Sequence, residues 1–233
     1  MRILLVGFGS RGDVQPLLAL GKGLLGAGYE VTMAAAVTYQ DLIAAEGLDF
    51  EPFHFDVDAM MNSPEGLEWL NNSHNPQVEA RNMKRVADSA AEQVGQDMAR
   101  MVPNADVYVT GLMTFGAFDA AARFYGKKHI LGFLQPFAPT RSGDAGIQAL
   151  LPRQRSWINR WWGYFIQAAT WNMLRGPTNY FREHMLKQPA ATRGDYLRAW
   201  NRTPALYGVS RHVTPRPSDW PEHMHITGYW FDS

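Results

Sequence analysis

Residues 2–16 read Arg2-Ile3-Leu4-Leu5-Val6-Gly7-Phe8-Gly9-Ser10-Arg11-Gly12-Asp13-Val14-Gln15-Pro16. A continuous apolar run that stops at glycine is the pattern of a strand buried on both faces. A Gly-rich loop follows. Leu17, Leu18, Leu20, Leu24 and Leu25 then make a helical stripe, with Pro16 near its start and Gly26 and Gly28 at its end. Working outward, residues 30–35 read as a second strand, 38–46 as a second helix stopped by Gly47, and 48–53 as a third short strand. Strand and helix alternate through these first 53 residues, which is the opening of a parallel, doubly wound α/β sheet.

The alternation continues. Residues 54–76, with their Pro, Asn, Ser and Gly, are expected to be mostly irregular. Residues 77–101 read as a helix, 106–110 as a strand, 114–125 as a helix ended by Gly126, and 128–134 as the next strand. Residues 135–144 form a turn-rich loop. Residues 147–200 look mostly helical and carry five of the eight tryptophans, and 205–209 and 223–227 read as two late strands.

The chain has 233 residues, of which 46% are hydrophobic and 19% charged, so it can bury a sizeable core and is not a disordered polymer. No apolar run reaches the roughly 18 residues that a membrane span needs. The apolar start, residues 3–6, is too short for a signal peptide. There is no cysteine, which excludes disulfides, thiolate chemistry, zinc fingers and iron–sulfur ligation, and makes the cytoplasm the expected compartment. Net charge is zero, yet residues 1–120 hold 16 Asp/Glu against 7 Lys/Arg, and residues 121–233 hold 6 against 15. Either the second half offers a basic face to an anionic partner, or the halves attract each other across the fold. No nucleic-acid partner is expected.

In an open α/β sheet, ligands sit beyond the carboxyl ends of the strands, so the loop after the first strand comes first. Gly7, Gly9 and Gly12 match G-x-G-x-x-G, but a dinucleotide site needs an acid near the end of the second strand to hold the ribose. The sequence offers Ala34, Ala35, Ala36 and Val37 there, and Glu30 stands at the wrong end. Nicotinamide cofactor binding is therefore discounted. Arg11-Gly12-Asp13 is read as a chance match to an adhesion tripeptide. Asp13 has two compatible readings: a helix N-cap, or a general base at a ligand cleft. Gly9 and Gly12 permit a tight turn.

Three stretches in order along the chain carry a family resemblance. The first is Gly9 to Gly21 (GSRGDVQPLLALG). The second is Pro136-Phe137-Ala138-Pro139-Thr140-Arg141. The third runs from Tyr207-Gly208-Val209-Ser210 through Pro215-Arg216-Pro217-Ser218-Asp219-Trp220-Pro221 to Ile226-Thr227-Gly228-Tyr229-Trp230-Phe231. Together they resemble the N-terminal domain of GT-B glycosyltransferases that use nucleotide-diphosphate sugars, of the sterol glucosyltransferase and antibiotic-aglycone type (glycosyltransferase family 28). Plant and animal relatives carry Gly-His-x-x-Pro with a histidine base, whereas this chain has Gly12-Asp13-Val14-Gln15-Pro16.

The resemblance implies a Rossmann-like domain over residues 1–228 that binds the acceptor, with residues 229–233 starting the interdomain linker and the C-terminal donor-binding domain absent. It implies inverting hexose transfer to a hydroxyl of an apolar acceptor, with Asp13 as the base and no metal or other cofactor. A nucleotide sugar would then bind only with the missing domain, and the isolated chain would be inactive. Ser10, Arg11 and Gly12 lie beside the cleft in this reading. Arg11 either meets donor phosphates, orients Asp13 or makes a surface ion pair, and Arg141 is read with the same alternatives. Phe137 joins them as an acceptor-side residue. The loop after the fourth strand (Thr110 to Thr114) lacks the second acid of plant-type relatives. His223 and His225 are read as surface residues, not metal ligands.

Residues 153–175 combine cations with aromatics: RQRSWINRWWGYFIQAATWNMLR. On a helix, Trp157, Trp161, Phe165 and Ala168 share a face, with Ile158, Trp162, Ile166 and Ala169 beside it. Three readings stand: packing against the sheet, a wall of the acceptor pocket, or a peripheral contact with the inner face of the membrane. Two other functional classes remain as alternatives to the enzyme half. One is a non-catalytic lipid- or aglycone-binding half-protein that pairs with a separate donor-binding chain, and the other is a nucleotide-binding oxidoreductase.

Overall fold

The computed structural model describes residues 1–63, 76–142 and 157–231. Seven strands form one sheet: β1 (Arg2–Gly7), β2 (Glu30–Ala36), β3 (Asp49–Phe53), β4 (Val107–Thr110), β5 (Lys128–Phe133), β6 (Ala205–Tyr207) and β7 (Met224–Ile226). Their order is β3-β2-β1-β4-β5-β6-β7, and every neighbouring pair is parallel. This is the doubly wound, Rossmann-like sheet that the alternating pattern predicts.

The helices between the strands are α1 (Arg11–Gly26), α2 (Gln40–Ala45), α3 (Val57–Met61), α4 (Pro76–Met101), α5 (Phe115–Tyr125), α6 (Trp157–Tyr180) and α7 (Arg193–Arg202). A 3₁₀ turn precedes α2, and a π-helical turn, Phe181–Met185, follows α6. The expected irregular stretch 54–76 contains the short helix α3, and residues 64–75 lie outside the described residues. The segments 143–156 and 232–233 lie outside them as well, including Arg153 and Arg155 of the tryptophan-rich stretch and the last two residues of the expected linker.

Both faces of the sheet are covered, which explains the continuous apolar runs. On β1, Leu4 and Val6 pack with Tyr108, Phe118 and the apolar face of α4. Ile3 and Leu5 point the other way and pack with Val14, Leu17 and Leu18 of α1. A third cluster gathers Phe115, Phe133, Trp171, Tyr196, Trp200, Tyr207 and Trp220 around β5 to β7. Gly126 ends α5 in the left-handed region (φ 65°), where a side chain would strain the backbone.

The two C-terminal sequence motifs meet here. Thr140 donates from its hydroxyl to Asp219 at 2.5 Å, and the Arg141 amide donates to the same carboxylate at 2.9 Å. Burial raises the Asp219 pKa, but these hydrogen bonds and the Arg160 charge outweigh it and hold the carboxyl below its usual value. Trp220 stacks on Tyr207 with centroids 4.6 Å apart. Arg216 donates to the carbonyls of Trp220, Pro221 and Met224 at 3.1, 2.7 and 3.1 Å. Trp230 folds back, donating to Thr227 Oγ1 at 3.0 Å.

The face of α6 that packs inward is not the aromatic one. Asn159, Gly163, Gln167, Thr170, Trp171, Leu174 and Thr178 are buried. Trp157 and Trp161 are 72% and 62% exposed, and Phe165 is 49% exposed. Sheet packing of the Trp157–Trp161–Phe165 face is thereby corrected. The inward amides donate to other elements: Asn159 to the Arg141 carbonyl at 3.2 Å, and Gln167 to Asn201 at 3.4 Å, while Gln167 Oε1 is buried and accepts no hydrogen bond among the described residues. A buried amide that keeps a hydrogen bond costs less than one left without any, which lets the helix turn this face in.

Candidate functional site

Where the strand order reverses, the connections leaving β1 and β4 run to opposite faces, and a crevice opens beyond the two strand ends. The loop at residues 8–10 borders it on one side, and the loop at residues 111–114 on the other. A cavity of about 410 Å³ lies here, within the size range of small-molecule sites. Its walls are Phe8 and Phe55, the alanine- and valine-rich face of α4, Met113, and the C-terminal part of α6 with Leu174 and Pro177. Four of its lining side chains are polar: Ser10, Asp13, Thr114 and Thr178. The site is therefore a greasy volume with a few polar groups, suited to an apolar molecule bearing a hydroxyl.

Asp13 is the third residue of α1. It accepts the Ser10 backbone N–H at 2.9 Å and the Ser10 hydroxyl at 3.3 Å. These contacts close a capping box in which Ser10 is the N-cap. The expectation of Asp13 as the N-cap is corrected in this respect: the helix begins at Arg11, well before Pro16, because a carboxylate at its third position can reach back to the cap. Gly9 makes room for that carboxylate. Its φ is 152°, and a Cβ there would lie 2.2 Å from Asp13 Oδ2. Asp13 remains solvent-exposed and lines the cavity.

The other sequence-predicted residues are placed as follows. Arg11 and Gly12 are exposed in the first turn of α1, and Arg11 donates to the Gln15 amide oxygen at 3.2 and 3.1 Å once that amide is turned to face it. Phe137 packs against Phe133 at 5.4 Å, and Arg141 is exposed in the loop held by Asp219. Trp157 and Trp161 lie on the outward face of α6. Of the predicted set, the cavity wall brings together Ser10 and Asp13; Phe137, Arg141, Trp157 and Trp161 are not in it. His223 donates from Nε2 to the Asn201 carbonyl at 3.1 Å, and His225 is exposed on the edge strand β7.

Two features of the site escaped the sequence. Thr114 precedes α5, but its hydroxyl makes no capping bond. It is 4% exposed, its Oγ1 has no hydrogen-bond partner, and it lines the same cavity as Asp13. A buried hydroxyl without a partner is costly, and a bound ligand can supply the missing bond. The second feature is a buried carboxylate behind the wall. Asp97 of α4 is fully buried and accepts the His54 amide at 2.8 Å, His54 Nδ1 at 2.9 Å and Gln93 at 3.2 Å, and it pairs with Arg100. This fixes residue 54 against α4 and sets Phe55 into the cavity wall. The only sequence signal was a pair of polar residues 43 positions apart, which no local pattern joins.

Comparison with known proteins agrees with this fold. The family model of the glycosyltransferase family 28 N-terminal domain matches residues 3–130. O-mycaminosyltylonolide 6-deoxyallosyltransferase of Streptomyces fradiae is 29% identical over 99% of this chain and 54% of its own length. Sterol 3-beta-glucosyltransferase of Leptosphaeria maculans is 27% identical over 99% of this chain and 15% of its own. The chain thus spans about half or less of the length of these relatives. Among solved structures, the calicheamicin glycosyltransferase CalG4 superposes with a TM-score of 0.61 at 13% identity, covering 98% of this chain and 52% of that one. At that identity the likeness speaks for the fold alone. The family match covers more than half of the sequence, and the chain belongs to the glycosyltransferase family 28 N-terminal domain family.

Proposed function

We propose that this chain is the acceptor-binding half of an inverting glycosyltransferase, which moves a hexose from a nucleotide-diphosphate sugar to a hydroxyl of an apolar acceptor such as a sterol, lipid or natural-product aglycone. One observation carries the reading: an apolar cavity of about 410 Å³ at the β1/β4 crevice that has a carboxylate, Asp13, in its wall. The printed names of the relatives, an antibiotic sugar transferase and a sterol glucosyltransferase, support it. Residues 1–228 form the acceptor domain, with the linker to a donor-binding domain starting at 229. Alone, the chain is inactive, because the diphosphate contacts belong to that other domain. The cysteine-free composition supports a cytoplasmic place of work.

In the proposed reaction the acceptor lies in the cavity with its hydroxyl toward Asp13. An alcohol is far less acidic than a carboxylic acid of pKa about 3.9, so a free alkoxide does not form first. The proton passes to the Asp13 carboxylate as the acceptor oxygen bonds the anomeric carbon. The bond from that carbon to the diphosphate oxygen breaks on the opposite face, and its electron pair leaves with the nucleoside diphosphate. Thr114 is placed to donate a hydrogen bond to the acceptor oxygen and hold it in line. Ser10 holds Asp13 in place through the capping box.

Calorimetric titration of the chain with UDP-glucose, TDP-glucose and a hydroxylated sterol tests the division of labour. The expected result is heat with the sterol and none with either nucleotide sugar. Tight nucleotide-sugar binding to this half would overturn the assignment.

A further inference from the structure

The first turn of α5, which borders the cavity, carries more hydrogen-bond donors than acceptors. Thr114 stands at its N-cap, and its buried hydroxyl makes no capping bond and has no partner. Among the backbone amides, Phe115 donates to the Leu112 carbonyl at 3.3 Å and Phe118 to the Thr114 carbonyl at 3.1 Å, while those of Gly116 and Ala117 meet no acceptor among the described residues. No acid stands in this turn to offset the positive end of the helix dipole. A second hydroxyl reaches the same turn from α6. Thr178 is 5% exposed and lines the cavity. It lies so close to Gly116 that a Cβ there would be 2.4 Å from Thr178 Oγ1. Thr170, two turns earlier on α6, bonds its hydroxyl back to the Ile166 carbonyl at 2.9 Å, the common recourse of a threonine inside a helix. Thr178 makes no such bond among the described residues.

The cavity therefore has two polar poles of opposite kind. At the β1 loop, the Asp13 carboxylate accepts, and the Ser10 hydroxyl is already spent on it. At the α5 pole, the groups without partners donate. Backbone amides can only donate, so the atom they face must accept. That atom is not part of an anion: no Lys or Arg lines the cavity, and the Asp13 carboxylate shares the same apolar volume. A hydroxyl there would bring a proton of its own into apolar surroundings. A neutral carbonyl oxygen matches the pole, because it offers two lone pairs and brings no proton that needs an acceptor.

We propose that Thr178 and the first turn of α5 form a carbonyl-binding subsite, so that the preferred occupant of the cavity is an apolar hydroxy ketone or lactone, bound more tightly than a compound whose sole polar group is a hydroxyl. Identifying that occupant as the glycosyl acceptor rests on the transfer reading above; the subsite itself does not. Within that reading Thr114 serves the reacting hydroxyl, while Thr178 and the Gly116 and Ala117 amides serve the carbonyl. Two oxygens held by groups on neighbouring elements fix the orientation of the ring system, which an apolar wall alone leaves free to turn.

Calorimetric titration of the chain with cyclododecanone, an apolar ring whose one polar atom is a carbonyl oxygen, tests the subsite. The parent should bind it. Thr178→Val keeps the shape and removes the hydroxyl, and should bind about three- to tenfold more weakly with a melting temperature close to the parent's. Thr178→Ser keeps the hydroxyl and should bind within about twofold of the parent. The carbonyl stretching band of the bound ketone should lie below its position in hexane, as that of a hydrogen-bonded carbonyl does, and should move back toward it in Thr178→Val. No binding to the parent, equal affinity for parent and valine variant, or a band at the hexane position would each overturn the proposal. The band is read on the parent, so it decides the matter even where the valine variant does not fold. Cyclododecanone has no hydroxyl to be glycosylated, so the two readings fail separately: a refuted base assignment leaves ketone binding standing, and a ketone that does not bind leaves the base assignment untouched.

Discussion

The two ends of α6 solve opposite problems. The C-terminal part turns Leu174 and Pro177 inward to wall an apolar cavity, as an amphipathic helix on an α/β sheet is expected to do. The N-terminal part turns Asn159 and Gln167 inward and leaves Trp157, Trp161 and Phe165 to solvent. One helix therefore carries two stripes of opposite sense. Periodicity reports which residues share a face. Which face is inside depends on what the rest of the fold offers, here the Arg141 carbonyl and Asn201, which accept from the N–H groups of the buried amides.

This contrast predicts unequal costs for similar truncations. Leu174→Ala, at a 2% exposed position, should destabilise the domain by about 3 kcal/mol in urea denaturation. Trp161→Ala removes a larger side chain at a 62% exposed position and should change stability by no more than about 0.5 kcal/mol. Equal costs for the two would mean that the aromatic face is packed after all.

Between those extremes lies an inward polar group whose cost can be read by pH. His129 of β5 is buried, stacks on Phe115 at 5.5 Å and shares a 2.8 Å hydrogen bond with Thr110. Burial pushes its pKa down to about 3, so the folded protein keeps it neutral. In the unfolded chain it titrates near its ordinary value of about 6.5. Its neutral form is therefore at no disadvantage above that pH, and stability declines below it as the unfolded chain takes up a proton that the folded one refuses. By pH 5 the loss attributable to this group is about 2 kcal/mol. His129→Gln should be less stable at pH 7 yet lose less between pH 7 and pH 5. An unchanged drop would place the acid sensitivity elsewhere.

Much of the fold was legible because both sheet faces are covered. The strands β1 and β4 read as largely apolar runs, and Gly7 and Gly111, which stop them, stand where the chain turns. The β1 loop was legible as a site because a parallel sheet can bind a ligand only at the carboxyl ends of its strands, and Asp13 is the first acid beyond β1. What could not be read were contacts that join distant residues or depend on a missing bond. Asp97 and His54 meet across 43 positions, and Asp219 and Thr140 across 79. Thr114 matters because its hydroxyl is left without a partner in the cavity wall, and the sequence around it shows only the lack of an acid. The start of α1 was placed too late because Gly-Ser-Arg-Gly-Asp has the composition of a turn, although its serine and aspartate are the two ends of a capping box.

The base assignment is the central claim, and Asp13→Asn tests it most directly. Asparagine keeps a side-chain oxygen for the Ser10 amide, so the helix start survives while the basicity is lost. With the chain joined to a donor-binding half and both substrates saturating, kcat should fall by about 10² to 10⁴ with the melting temperature nearly unchanged. Near-parental turnover in a folded Asp13→Asn protein would contradict the account and leave Asp13 with a capping role alone.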